Sequence, residues 1–449
     1  MPSVDPRAAG CKGRTGGVGD MAQRPGGAAP RTPRGSWTKK KGRGWWHVVG
    51  SLLSERGRVR YGSGVFCALG AEDMIAWLAG WTRRKDAVLR AVARAAGGGV
   101  RLSVIGVSPR GFAETAERTE AALAVAKRQP RGQLGRALKR ALIAGQYNWS
   151  RRYFTRHPDR IAMCWNGMTG SRRAFMEGAR DAGARRLYVE LAPFPGRVTL
   201  DPAGINARNG LPRDPGFYRA WAAADGGRRG EDWRVLGEKL SARVSRRADV
   251  GQAGGEALAD AGDFLFCPLQ VPNDSQITLF SGWVGSVEGM LAALARHAGA
   301  LPEGWHIRVK EHPSARTSLA DPLARAVEAS GGRIVVDNAT DSFAQLAASA
   351  GVITINSSMG LQAFFHDKPV IVLGQAFFGL PGLVTPATTE TALGRALADP
   401  ASLSFDPGLR AAFMNYLDRV YYPRIGETPD GRVTIDPAQV AAKLAAAHA

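Results

Sequence analysis

Cysteine is scarce: the 449 residues contain four (Cys11, Cys67, Cys164 and Cys267), far apart, with no CxxC pair and no Cys/His cluster at metal-ligand spacing. A disulfide scaffold and a zinc module are therefore not expected, and no residue stands out as a metal ligand. Long apolar runs are also missing, since no stretch reaches the roughly 18 uncharged apolar residues needed to cross a bilayer. The best candidate, residues 64–81, contains Glu72 and Asp73 and reads as a globular helix. The start of the chain lacks the compact apolar segment of a secretory signal. The expectation is a cytoplasmic protein able to sit peripherally on the inner membrane face.

Acidic residues are in deficit, 39 against 60 Lys and Arg, which gives a formal charge of +21. The excess is uneven. Residues 1–44 are rich in Gly and Pro and carry ten basic residues against two acidic ones, ending in Lys39-Lys40-Lys41. They read as a disordered basic arm that could attract anionic lipid, or as an extension preceding a true start near Met21. The aromatic and basic pattern of nucleic-acid modules does not accompany the arm, so nucleic acid is not the expected partner. The rest is an ordinary globular composition, 45% hydrophobic, in a chain long enough for two or three domains.

From residue 264 onward, apolar runs and amphipathic stretches alternate without a break. Strands are expected at 264–269, 305–310, 333–337, 351–355 and 370–374, with helices at 318–330, 343–349 and 361–366 between them. Val287, Met290, Leu291 and Leu294 mark one further helical face. This rhythm requires right-handed crossovers and a parallel sheet covered on both faces, a doubly wound α/β domain. The first half repeats it less cleanly, with strands at 102–107, 161–165 and 187–190 and helices at 113–127 and 172–182. The expected division is a basic arm (1–44), an N-terminal α/β domain (45–248), a Gly/Ala-rich linker or hinge (249–263) and a C-terminal α/β domain (264–449).

In open α/β sheets ligands bind beyond the carboxyl ends of the strands, and polar residues gather there in this sequence. Asn166, Glu190, Asp274, His312 and Asn356-Ser357-Ser358 each end or follow a predicted strand. Two facing sheets with such rims would enclose one cleft. Asn356-Ser357-Ser358-Met359-Gly360 joins a strand to a helix, so it suits either a phosphate at the helix start or an ordinary Ser cap. Lys310-Glu311-His312-Pro313 sets a cation, an acid and an imidazole at one strand end. Asp274 lies in a polar loop, where a turn aspartate is the ordinary reading. Glu190 closes an apolar strand before Pro193 and Pro195, a setting that raises a carboxyl pKa as an acid catalyst needs. Spacing alone leads to a phosphate-handling enzyme with two cleft carboxylates.

The segments Pro268-Leu-Gln-Val-Pro-Asn-Asp-Ser-Gln276, Val309-Lys-Glu-His-Pro-Ser314, Thr354-Ile-Asn-Ser-Ser-Met-Gly-Leu-Gln-Ala363 and Lys368-Pro-Val-Ile-Val-Leu-Gly-Gln-Ala-Phe-Phe378 resemble the capsule polysaccharide biosynthesis proteins of the KpsS/KpsC type, the β-Kdo glycosyltransferases. Trp165-Asn-Gly167 and Glu190 through Thr199-Leu-Asp-Pro-Ala-Gly-Ile-Asn206 continue the likeness, which spans residues 160–380. It departs at Leu-Ala-Pro-Phe-Pro after Glu190 and finds little to match in 45–150.

The resemblance implies a GT-B-like architecture, two Rossmann-like domains facing a cleft, and a retaining transferase that moves Kdo from CMP-Kdo to a lipid-linked acceptor without a metal or further cofactor. It implies Asp274 as nucleophile, Glu190 as second catalytic carboxylate and His312 at the CMP phosphate. Gln270, Lys310, Asn356, Ser357, Ser358 and Gly360 fall on the donor side and Asn166 on the acceptor side. The anionic inner-membrane surface and other capsule assembly proteins are the implied partners. A UDP-sugar or CDP-alcohol donor on the same fold, or a non-catalytic scaffold of capsule assembly and export, are the alternatives. The Arg-rich stretch 131–140 reads as a solvated basic face or a lipid head-group contact.

Overall fold

A computed structural model of the chain describes residues 74–238, 240, 249–255, 258–316 and 318–446. The expected basic arm, and the part of the 64–81 candidate before Met74, lie outside the described residues. The remainder of that candidate is a strand rather than a helix. In Met74–Leu78 (β1) every residue after Met74 is buried, which a helix of this length could not achieve against a single neighbour.

β1 belongs to a five-stranded sheet with Gly99–Leu102 (β2), Arg160–Trp165 (β3), Arg186–Leu191 (β4) and Val198–Asp201 (β5), in the order β2-β1-β3-β4-β5. Pairings are parallel except the last, β4 with β5. The strand expected at 102–107 ends where it was to begin. Beyond Leu102 the chain runs as a loop that leaves Val104 and Val107 exposed. The second sheet contains Phe264–Pro268 (β6), His306–Lys310 (β7), Ile334–Val336 (β8), Gly351–Thr354 (β9), Val370–Val372 (β10) and Thr385–Pro386 (β11). It is parallel throughout, in the order β8-β7-β6-β9-β10-β11. Counted within this sheet, that is the 3-2-1-4-5-6 order of a Rossmann fold, with its switch point between β6 and β9. In the first sheet the corresponding reversal falls between β1 and β3.

Both sheets are apolar on both faces, as parallel sheets must be. Phe264, Phe266, Val352, Val370 and Val372 line one face of the second sheet, and Leu265, Cys267, Ile353, Ile355 and Ile371 the other. The first sheet divides in the same way, with Ile75, Ile161, Met163, Leu187 and Val189 opposite Ala76, Ala162, Cys164 and Tyr188. Each fully buried large aliphatic or aromatic side chain contributes on the order of 2 kcal/mol. Cys164 and Cys267 are among them, and burial pushes both thiols up to about 12, leaving them inert at neutral pH.

The two sheets are fastened by segments that cross between them. The helix Pro407–Tyr416 packs on the helix Pro215–Ala223 through Tyr218, Phe413 and Tyr416. The Tyr421 hydroxyl donates to Asp201 across 2.7 Å. A two-stranded antiparallel ribbon, Ile425–Glu427 (β12) with Val433–Ile435 (β13), then leads into the helix Pro437–Ala445. Val440 and Leu444 of that helix pack into the first sheet's core. The end of the expected C-terminal domain is thus returned to the N-terminal one. The described part of the expected hinge is also tied down, since Gly251 and Ala253 donate backbone N–H groups to Asn338 and Ala339. Among the described residues no helix is long and apolar enough to cross a membrane.

Candidate functional site

At the switch point of the second sheet, Gln270 follows β6 and Asn356 follows β9. Gln270 donates from Nε2 to Asn356 Oδ1 (2.8 Å), and its Oε1 accepts the Asn356 backbone N–H (3.2 Å). Asn356 Nδ2 donates to the carbonyls of Gln276 and Phe280, each at 3.0 Å. The pair is buried, and three of its four amide protons are engaged. Both residues, expected on the donor, hold the two loops in place instead.

Asp274 lies on the loop they fix. It caps the helix Ser275–Phe280 by accepting the Gln276 N–H at 2.9 Å through Oδ1, and Oδ2 takes no part in that cap. Phe280, at the other end of this helix, belongs to the apolar cluster that contains Cys164, Met168, Tyr188 and Ile205 of the first half. The helix that starts at Asp274 therefore abuts the first sheet. Ser357 caps the helix Ser358–Gln362 and accepts the Met359 N–H at 3.2 Å, and Ser358 opens its first turn. Gly360 is a packing residue rather than part of a phosphate cradle. A Cβ there would come within 3.1 Å of the Phe378 ring and 3.0 Å of Thr354 Cγ2.

Lys310 departs furthest from expectation. Its side chain is 1% exposed, and Nζ donates to the carbonyls of Gly251 (2.8 Å), Asn338 (3.2 Å) and Thr340. Three protons meet three acceptors, so nothing is left for a phosphate. Burial lowers its pKa, with Asp337 and Asp341 opposing that effect. Glu311 is also buried. It accepts the Leu319 N–H at 2.9 Å and Asn338 Nδ2 at 3.2 Å. These two residues anchor the loop that presents His312. The Ser314 N–H donates to His312 Nδ1 (3.0 Å), which places the neutral ring's proton on Nε2.

The first sheet's rim is built differently. Asn166 takes a left-handed backbone (φ 66°), accepts the Met168 N–H at 3.2 Å and donates from Nδ2 to Glu190 Oε2 at 3.3 Å. Gly167 follows at φ 74°, where a Cβ would strike the Tyr188 ring at 2.6 Å. The turn thus aims Asn166 at Glu190. Burial raises the Glu190 pKa, against smaller opposing contributions from the Asn166 bond, the Lys85 charge and the Leu191 N–H. A carboxyl so placed can carry a proton nearer neutrality than a free glutamate can. Lys85 Nζ sits 4.9 Å from the Trp165 ring centroid, and the Arg172 guanidinium lies 5.9 Å from that of Trp81. Sequence reasoning missed Lys85, Arg172 and Trp81. One signal was available, because two arginines in the first turn of a helix oppose its dipole. Among the described residues no group of three or more His, Cys, Asp or Glu could hold a metal ion.

The fold and these rims define an α/β protein of GT-B-like layout, built on two largely parallel sheets. Residues 229–401, which include the whole second sheet, match the family model described as capsule polysaccharide biosynthesis protein. Protein FixF of Sinorhizobium fredii is 29% identical over 328 residues, 70% of this chain and 74% of that protein. The capsule polysaccharide export protein KpsS of Escherichia coli is 23% identical, covering 52% of this chain and 72% of the relative. Among solved structures, KpsC of Thermosulfurimonas dismutans, a beta Kdo 2,7 transferase, aligns over 84% of this chain and 99% of its own at 14% identity and a TM-score of 0.46. The motifs between Pro268 and Phe378 all lie inside the matched span, so this part of the chain is similar to capsule polysaccharide biosynthesis proteins.

Proposed function

We propose that the protein is a retaining glycosyltransferase of capsule synthesis that transfers Kdo from CMP-Kdo to a lipid-linked acceptor. The observation that carries this reading is the contrast between two carboxyl groups at the strand-end rims of the two sheets. Asp274 is part-exposed on a cap that leaves Oδ2 uncommitted, while Glu190 has a pKa raised by burial. The first suits a nucleophile and the second a proton carrier. Asp274 attacks the anomeric carbon, and the bond to the CMP phosphate oxygen breaks with its electron pair leaving on CMP. The acceptor hydroxyl then gives its proton to Glu190 as its oxygen displaces Asp274. His312 and the Ser357-Ser358 turn are the groups assigned to the departing phosphate, whose charge they would meet with hydrogen-bond donors and without a metal.

The experiment is CMP release from CMP-Kdo, with thermal-shift screening of CMP, UDP and CDP. CMP is expected to raise the melting point and the other two to do less. Asp274→Asn keeps the helix cap, since Asn caps as well as Asp, yet should lose roughly 10³-fold or more in turnover. Full activity in that variant overturns the assignment. Preference for UDP or CDP moves the donor to another class. Absence of any nucleotide effect favours a non-catalytic scaffold.

An anionic membrane surface completes the reading. Between Glu120 and Asp159 the chain has nine Lys and Arg and no Asp or Glu. In the first turns of the helix Gln133–Arg156, Leu134, Leu138 and Leu142 form one stripe and are 74%, 63% and 46% exposed. Val107 lies against Gly145 and extends this stripe. An apolar stripe among cations suits the interface of an anionic bilayer. Pelleting with phosphatidylglycerol vesicles should exceed pelleting with phosphatidylcholine vesicles, and the triple substitution of these leucines by serine should reduce it about tenfold. Equal pelleting of the triple variant removes the assignment, and its conversion of a dimer to a monomer would give the stripe to a second copy.

A further inference from the structure

The helix Gly170–Asp181 begins with Arg172 and Arg173 and has no acidic residue in its first turn. The free N–H groups at a helix start already carry positive partial charge, so cations there are placed against the dipole. Partial burial adds to the cost, and desolvation lowers the pKa of both guanidinium groups. Arg172 Nη2 is buried with no hydrogen-bond partner, although the residue as a whole is only part-buried and stays reachable. Arg208 adds its charge near Arg173. Across the β1–β3 switch point Lys85 lies against Trp165, its charge felt at Glu190, as is that of Arg172. Among the described residues neither Arg172 nor Lys85 forms an ion pair, and Glu190 is bonded to Asn166 instead.

Cations without ion-pair partners, one of them against a helix dipole and both within electrostatic reach of Glu190, make a site short of one negative charge. We propose that Arg172 and Lys85 bind an anionic group, a carboxylate or a phosphate, of the substrate that reaches Glu190. The inference rests on the reading of Glu190 as part of the transferase cleft, and it adds a requirement: the molecule brought to that carboxyl carries its own charge.

The test is saturable binding of methyl phosphate and of pyruvate to the full-length protein, followed by calorimetry and by competition in the transfer assay. The wild type is expected to bind at least one probe, and Arg172→Gln to weaken that binding tenfold or more. Arg172→Lys should retain part of it, and Arg136→Gln, on the remote basic helix, all of it. Lys85→Gln provides a second reading if Arg172→Gln does not fold. A preference for methyl phosphate assigns the group to a phosphate-bearing substrate, and a preference for pyruvate to a keto-acid sugar. Equal binding by Arg172→Gln, Lys85→Gln and the wild type overturns the proposal, as does a wild type that binds neither probe. CMP binding is measured alongside. Its absence with probe binding intact would count against the proposed donor and leave the anion site standing.

Discussion

The two rims of the cleft are opposites in how they use their polar groups. On the second sheet, Gln270, Asn356, Lys310 and Glu311 are buried, and they hydrogen-bond to each other, to backbone, to Asn338 and to Ser318. On the first sheet, Arg172 keeps an unpartnered nitrogen, Asn166 holds a strained backbone and Glu190 carries a raised pKa. The enclosed groups of the second rim are bonded before any ligand arrives, whereas the first rim keeps unpartnered ones. Satisfied networks give rigidity and unspent groups give binding, so the enclosed residues of the second rim position Asp274 and His312, and the cations of the first stay open to a ligand.

The comparison breaks most visibly in stability at Lys310. Lys310→Met keeps the length of the side chain and leaves the carbonyls of Gly251, Asn338 and Thr340 without their donor. Each buried acceptor left unmade costs about 1–3 kcal/mol, so a loss of roughly 3 kcal/mol is expected in urea unfolding. Turnover per folded molecule should change little, because nothing in the arrangement directs the ammonium at the cleft. A variant of wild-type stability whose KM for the donor rises would return Lys310 to the ligand-binding set.

Much of this was legible in the sequence, and what was not failed for definite reasons. The second sheet was read almost strand by strand, because short apolar runs bounded by turns recur through it and both faces are buried. Asp274, His312 and Glu190 were singled out because each ends such a run or lies in the loop that follows it. Lys310 was misread for the same reason: a lysine at a strand end looks available, and only the three-dimensional path of residues 249–255 and 338–340 shows that it is enclosed. Gln270 and Asn356 stand 86 positions apart, and nothing local in sequence shows that two amides neutralise each other. β1 was hidden because its five residues follow a stretch with Glu72 and Asp73, which suggested a helical turn. Arg172 was visible as an arginine but not as an unpaired one.

The converse substitution on the first rim has the smaller stability effect and the opposite sign. Burial raises the Glu190 pKa above that of an unfolded glutamate, so its contribution to folding is fully present below the unfolded value, about 4.3, and is lost as pH rises through the folded value. Glu190→Gln has the same shape, can still accept from Asn166 through its amide oxygen, and carries no proton to lose. Its stability should match the wild type near pH 4, exceed it progressively as pH rises from the unfolded to the raised pKa and stay above it by a constant margin beyond, a gain readable as a modest rise in melting point at pH 8. Turnover should fall about 10²–10⁴-fold, the usual contribution of a positioned proton carrier, and the acidic limb of the pH–rate profile should disappear with it. A substitution that stabilises the protein while abolishing its chemistry marks a group kept at the expense of the fold. If Glu190→Gln is instead less stable at pH 8 and retains its turnover, the carboxyl is architectural, and the first rim is as complete without substrate as the second.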